Sequence, residues 1–131
     1  MVRVAAAKGY ESATLTDVIE VAGVSRETFH EMFVDKEDCF LEAYDAVIDV
    51  LVAHVTSAYE AAAGEPWPDR MAAAMRALVG LLAAESDIAR MAMVEVTAAG
   101  ESARERYRAA LTRFSRLLED GRDYAAGGDA L

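Results

Sequence analysis

The run from Thr14 to Phe40, TLTDVIEVAGVSRETFHEMFVDKEDCF, decides the fold of this chain. Thr14 followed three residues later by Asp17 makes a capping-box-like start. Its hydroxyl accepts orphan backbone N–H groups, and its carboxylate sits beside the positive end of a helix. A helix is therefore predicted from about Leu15, with Leu15, Val18, Ile19 and Ala22 on one face. Gly23 stands where the chain needs a left-handed backbone to leave that helix sharply. Ser25 then caps a second helix, on which Phe29 and Phe33 turn inward and leave Arg26, Glu27, His30 and Glu31 outside. Asp35 repeats the capping pattern with Asp38, and Phe40 and Leu41 open a third apolar stripe. Two short helices joined at Ala22-Gly23-Val24, with a third directly behind, form a helix-turn-helix. That unit holds one helix rigid and offers it to the major groove of DNA.

Downstream the pattern stays helical. Phe40, Leu41, Tyr44, Val47, Ile48, Leu51, Val55, Ala58, Tyr59 and Ala62 recur at threes and fours, predicting one long helix from Lys36 to about Ala63. Gly64-Glu65-Pro66-Trp67-Pro68 stops it, because proline cannot continue a helix and also restricts its predecessor. Pro68 and Asp69 open a helix with Met71, Met75, Leu78, Val79 and Leu82 inward. Ser86-Asp87 is read as the cap of the next, which Gly100 ends. A last helix from Glu101 to Asp120 carries Tyr107, Leu111, Phe114, Leu117 and Leu118, before an unpatterned DYAAGGDAL. The fold class is thus all-α: a three-helix head, residues 1–45, and a helical regulatory body, residues 46–131.

The run GYESATLTDVIEVAGVSRETFHEMFVDKEDCFLEAYD, from Gly9 to Asp45, resembles the DNA-binding head of the tetracycline-repressor-like (TetR) transcriptional regulators. The order and spacing agree at Gly9-Tyr10, Thr14 and Asp17, Ala22-Gly23-Val24-Ser25, Thr28-Phe29, Phe33 and Lys36-Glu37. The resemblance implies that Thr14 caps a helix near the phosphates, that Ser25, Arg26 and Thr28 meet backbone or bases, and that Lys36 grips a phosphate. Glu27, His30 and Glu31 share the surface. His30 stands where the family usually has an aromatic, most often Tyr, and Glu31 where it often has a basic or aromatic residue. A carboxylate there is repelled by phosphate but can accept from a cytosine amino group.

The resemblance also implies a ligand-binding and dimerisation body, which reads as incomplete. Two further helices, which in the family form a four-helix dimer interface, are missing from the pattern, and Gly127-Gly128 reads as the start of a linker. The first helix reads as clipped, with VRVAAAKGY as its closing turns. The expectation is a truncated chain whose dimer interface lies outside it.

Charge argues against DNA at first sight. The 131 residues carry a formal net charge of −10, whereas a DNA binder is expected to show a basic patch. From Met1 to Tyr44, four basic residues (Arg3, Lys8, Arg26, Lys36) face nine acidic ones, a net of −5. Asp17, Asp35, Glu37 and Asp38, however, sit at helix starts, where they serve the helix dipole. Base recognition depends on which side chains reach the groove. Weak nonspecific binding with steep salt dependence is expected. No apolar run approaches a membrane span or a secretory signal, and the single Cys39 excludes an internal disulfide, so a cytoplasmic protein is expected.

In the body, Tyr59, Trp67, Met71, Met75, Met91, Glu95, Tyr107 and Phe114 are candidates to line a small-molecule cavity, since adaptable Met and large aromatics build such sites. The simpler reading of the apolar ones is core. Glu95, between Val94 and Val96, faces either a cavity or solvent, with solvent favoured, and Trp67 reads as a plug over the body's end.

No enzyme, metal site or cofactor is read from the chain. His30-Glu31 begins like a zinc-protease motif but Val34 replaces its second histidine. Glu27, His30 and Glu31 lack a fourth ligand. Cys39 and His54 lie more than about 20 Å apart along one helix. The leading expectation is a ligand-responsive repressor that binds a palindromic operator in double-stranded DNA as a homodimer and answers to a small-molecule inducer. The alternative is an acidic helical protein-interaction module on the same fold, without DNA binding.

Overall fold

The computed structural model describes residues 1–129, with side chains described through Arg116 and at Glu119. It contains α1 (Val2–Lys8), α2 (Leu15–Ala22), α3 (Arg26–Met32), α4 (Lys36–Ala61), α5 (Trp67–Ala84), α6 (Ser86–Met93), a short 3₁₀ turn (Glu95–Thr97) and α7 (Glu101–Asp129). The described residues form no strand, and none of their helices is long and apolar enough to cross a membrane.

The head follows its capping signals closely. The Asp17 N–H donates to Thr14 Oγ1 at 3.1 Å and the Thr14 N–H to Asp17 Oδ2 at 3.0 Å, a complete capping box. Gly23 ends α2 at φ 70° and ψ 27°, the left-handed region that costs a residue with a side chain. Ser25 accepts from the Thr28 N–H at 3.1 Å and Asp35 from the Asp38 N–H at 2.8 Å. Asp38 in turn accepts from the Val34 N–H at 2.9 Å, so the entry to α4 is tied in both directions. Val4, Ala13, Val18, Phe29 and Cys39 are buried together under these helices.

α4 passes without a break from head to body and organises both. Tyr44, Val47, Ile48 and Leu51 join Ala5 and Tyr10 of the head with Met91, Ala92, Val96, Ala99 and Ala103 of the body in one core. α5 packs along α4, and α1 packs chiefly on α6. A smaller cluster of Val55, Tyr59 and Ala74, with Trp67 against it, closes the far end.

Four expectations are corrected. Ser86 does not cap α6: it is the first helical residue, because α5 runs to Ala84 and leaves only Glu85 between the two helices, with no side-chain cap. α6 ends at Met93 rather than at Gly100. The β-branched Val94, Val96 and Thr97 lose side-chain freedom in an α-helix, and the tighter 3₁₀ turn brings Glu95 and Val96 side by side into the interior. Met75, Val79 and Leu111, expected inward, are about half exposed or more, because their stripes are wider than the face α4 covers. α7 continues beyond Asp120 to Asp129, through Gly121 and Gly127-Gly128, although each glycine lowers helix propensity by about 1 kcal/mol relative to alanine. The Leu117 and Leu118 side chains and residues 130–131 lie outside what is described.

Candidate functional site

α3 is held from beneath. Phe29 is 2% exposed and packs against Phe33 with ring centroids 5.3 Å apart, while His30 meets the edge of the same ring from outside at 5.5 Å. Arg26, Glu27, His30 and Glu31 are exposed and Thr28 is half-buried. Ser25 Oγ also donates to Thr28 Oγ1 at 3.0 Å, and Arg26 Nη2 donates to Thr16 Oγ1 of α2 at 3.0 Å. The structure therefore brings Ser25, Arg26, Glu27, Thr28, His30 and Glu31 onto one short helix start and its outer face. Thr14, exposed at the start of α2, uses its hydroxyl as a cap.

The cations of this surface are largely engaged within the protein. Lys8 pairs with Asp17 at 2.9 Å. That bond, with the hydrogen bonds of Thr14, holds the Asp17 carboxyl down at about 2. Lys36 Nζ donates to the Tyr10 carbonyl at 2.9 Å and sits 4.2 Å from the centre of the Tyr10 ring. An ammonium has three donors, so two remain for a phosphate while the first fixes the side chain. Cys39, 5% exposed, has its thiol pushed up by burial, away from the reactive thiolate.

A second concavity lies in the body. A cavity of about 360 Å³ opens among α4, α5, α6 and α7. Four of the residues singled out from the sequence line it: Met71, Met75, Tyr107 and Phe114. The other four do not. Met91 is fully buried core. Tyr59 is buried with Ala74 and its ring carries the Arg70 guanidinium at 3.9 Å. Trp67 packs on that cluster, where its Nε1 is buried without a partner among the described residues. The wall missed from sequence is α4's own stripe, Tyr44, Ile48, Leu51 and Val55, with Leu78 and Leu82 of α5. Periodicity marked these residues as inward but cannot separate core from cavity wall.

Glu95 corrects the solvent reading. It is 6% exposed, and it turns to the junction of head and body instead of the cavity. Its Oε1 accepts the Tyr10 N–H at 2.8 Å, and Arg90 Nε lies 3.5 Å from Oε2. Gly9 precedes Tyr10 at φ 82°, and a Cβ there would lie 3.2 Å from Glu95 Oε1. Glycine is needed both for the turn and for the approach. Tyr10 thus bridges the two, its N–H bonded to the body's Glu95 and its carbonyl to Lys36 at the start of α4. The sequence signal was present in an acid flanked by two valines, a spacing as compatible with a buried latch as with a surface.

Residues 2–43 match a family model described as bacterial regulatory proteins, tetR family. Comparison with curated proteins and with solved structures returns no match. The matched segment covers α1 to α3 and the first turns of α4, where the Thr14–Asp17 capping box, the Gly23 turn and the exposed face of α3 lie. The head, residues 2–43, is a helix-turn-helix DNA-binding domain similar to that of the tetR family of bacterial regulatory proteins.

Proposed function

We propose that this regulator is a ligand-responsive repressor that binds a palindromic operator as a homodimer in the cytoplasm. The observation that carries the reading is α4. The same helix begins at Lys36 beside the DNA-facing head and lines the body cavity from Tyr44 to Val55. In this reading residues 1–45 act as the DNA-binding domain and 46–131 as the regulatory domain, two functional units sharing one helix. α3 enters the major groove. Ser25, Arg26 and Thr28 contact backbone or bases, Thr14 and Lys36 hold phosphates, and Glu27, His30 and Glu31 face base edges, with Glu31 suited to a cytosine amino group. Two heads in a dimer meet half-sites about 34 Å apart or a multiple of that.

Ligand in the cavity favours one head arrangement and DNA the other, and by linkage each weakens the other's binding. The cavity wall includes Ala92 and Met93 of α6, two to three residues before Glu95. A shift of α6 therefore acts on Tyr10 and, through its carbonyl, on Lys36.

The test is fluorescence anisotropy of the full chain on DNA from upstream of its own gene across a salt series, beside Lys36→Ala. Saturable binding, with the slope of log affinity against log salt reduced by about 0.9 in the variant, supports the reading. No binding at low salt by a confirmed dimer favours the acidic protein-interaction module.

A further inference from the structure

The cavity's chemistry narrows what it can hold, given the reading of this cavity as the ligand site. Among the described residues its lining contains no Lys, Arg, Asp, Glu or His; beyond apolar side chains it offers Tyr44, Tyr107 and Ser115. The nearest acids on α4's outer side, Asp45 and Asp49, are turned to the surface and paired there with Arg106 and Arg113 of α7. An ion entering this space leaves its hydration behind and meets no counter-charge, which is strongly unfavourable. The polar groups are unequal. Ser115 Oγ already donates to the Thr112 carbonyl at 2.9 Å. Tyr44 is 1% exposed, and its hydroxyl is buried with no hydrogen-bond partner among the described residues. Burial, the larger cause, and the neighbouring Tyr107 push the Tyr44 phenol up to about 12, so it remains a donor throughout the physiological range. Buried hydroxyls normally have a partner, and one left without is a position where an acceptor, once the wall gives way to it, is gained without breaking another bond.

We propose that the cavity takes a neutral, lipophilic small molecule bearing a carbonyl- or ether-type acceptor, and that its entry displaces the wall over the Tyr44 hydroxyl, which has almost no surface open to the cavity, so that Oη donates to that acceptor. At about 360 Å³ the space suits a compact ligand near the lower end of the usual range for small-molecule sites.

Isothermal titration calorimetry of the full chain tests this with four probes of one shape: acetylnaphthalene, ethylnaphthalene, naphthoate and naphthylmethylammonium. Acetylnaphthalene is expected to bind most tightly. Tyr44→Phe should weaken it about tenfold, equivalent to about 1.4 kcal/mol, while leaving ethylnaphthalene unchanged and the thermal midpoint equal or higher, since an unpaired buried hydroxyl is removed. Leu78→Trp, which fills the cavity from a half-buried position in its wall, should abolish binding of both neutral probes. Equal affinities for the ketone and the hydrocarbon, an unchanged ketone affinity in Tyr44→Phe, or tighter binding of either ion would overturn the proposal. If Leu78→Trp still blocks binding in those cases, the cavity stands as the ligand site. No binding by any probe, or binding that survives Leu78→Trp, removes the cavity reading and the proposal with it.

Discussion

Replacing Glu95 by alanine probes the joint between head and body. The carboxylate is 6% exposed and accepts the Tyr10 N–H at 2.8 Å. Hydrogen bonds to a charged group contribute about 1.5–3 kcal/mol, and alanine also leaves the Tyr10 N–H without its acceptor. The Arg90 contact adds little, because Arg90 is half exposed and its pairing at 3.5 Å is screened by solvent. The expected loss is therefore about 2–3 kcal/mol, with Glu95→Gln, which keeps a carbonyl oxygen in place, losing about 1 kcal/mol. At this chain length 1 kcal/mol moves the midpoint by about 3–5 °C, so Glu95→Ala should melt roughly 6–15 °C lower. Thermal and urea melts by circular dichroism measure it, with the exposed Glu105→Ala as the control. If Glu95→Ala changes stability by no more than the control, about 0.5 kcal/mol, Glu95 is not the latch its geometry describes.

The head offers three further tests. Asp17, held at about 2 against an ordinary 3.8 by Lys8 and Thr14, adds stability that is fully present above pH 3.8 and is lost as pH falls toward 2. An acid titration should show Asp17→Asn losing that pH dependence and matching wild type only at the acid end. Phe29→Ala, at a site 2% exposed beneath α3, should cost about 3–5 kcal/mol and reduce DNA binding through loss of folded head, as urea unfolding would measure. Gly23→Ala, at φ 70° with open space around its would-be Cβ, should cost about 1–2 kcal/mol from backbone strain alone, and a midpoint unchanged in urea would contradict that.

What could be read from the sequence divides along physical lines. Thr14, Gly23, Ser25 and Asp35 act through residues three or four away, so their roles as caps and turn were legible, and each forms the expected local bond. The inward face of α4 was legible for the same reason. Ser86 misled because capping is a statement about backbone conformation. Whether a serine sits before the helix or inside it depends on how far the preceding helix runs, and α5 runs to Ala84. The cavity wall was only half legible: Tyr59, Met91 and Phe114 share one periodicity, yet only Phe114 meets the open space. Glu95 stood out as an acid between two valines, but its partner was beyond reach, lying 85 residues away in the chain.

The Glu95 contact also explains why a buried acid is tolerated among the apolar residues around it. α1 ends at Lys8, and Gly9 turns the chain so that the Tyr10 N–H points toward the body at a place no helix or strand supplies an acceptor. An apolar residue at 95 would bury that N–H unpaired, at a cost comparable to the bond itself. A neutral acceptor would satisfy it, but a carboxylate makes the stronger bond and keeps a second oxygen for Arg90 at the surface. The Tyr10 carbonyl faces the opposite demand and is met by Lys36. One residue of the α1–α2 loop is thus fixed from both sides by charged groups, one from the body and one from the first turn of α4. The orientation of the head on the body rests on side chains as specific in geometry as the apolar core is permissive.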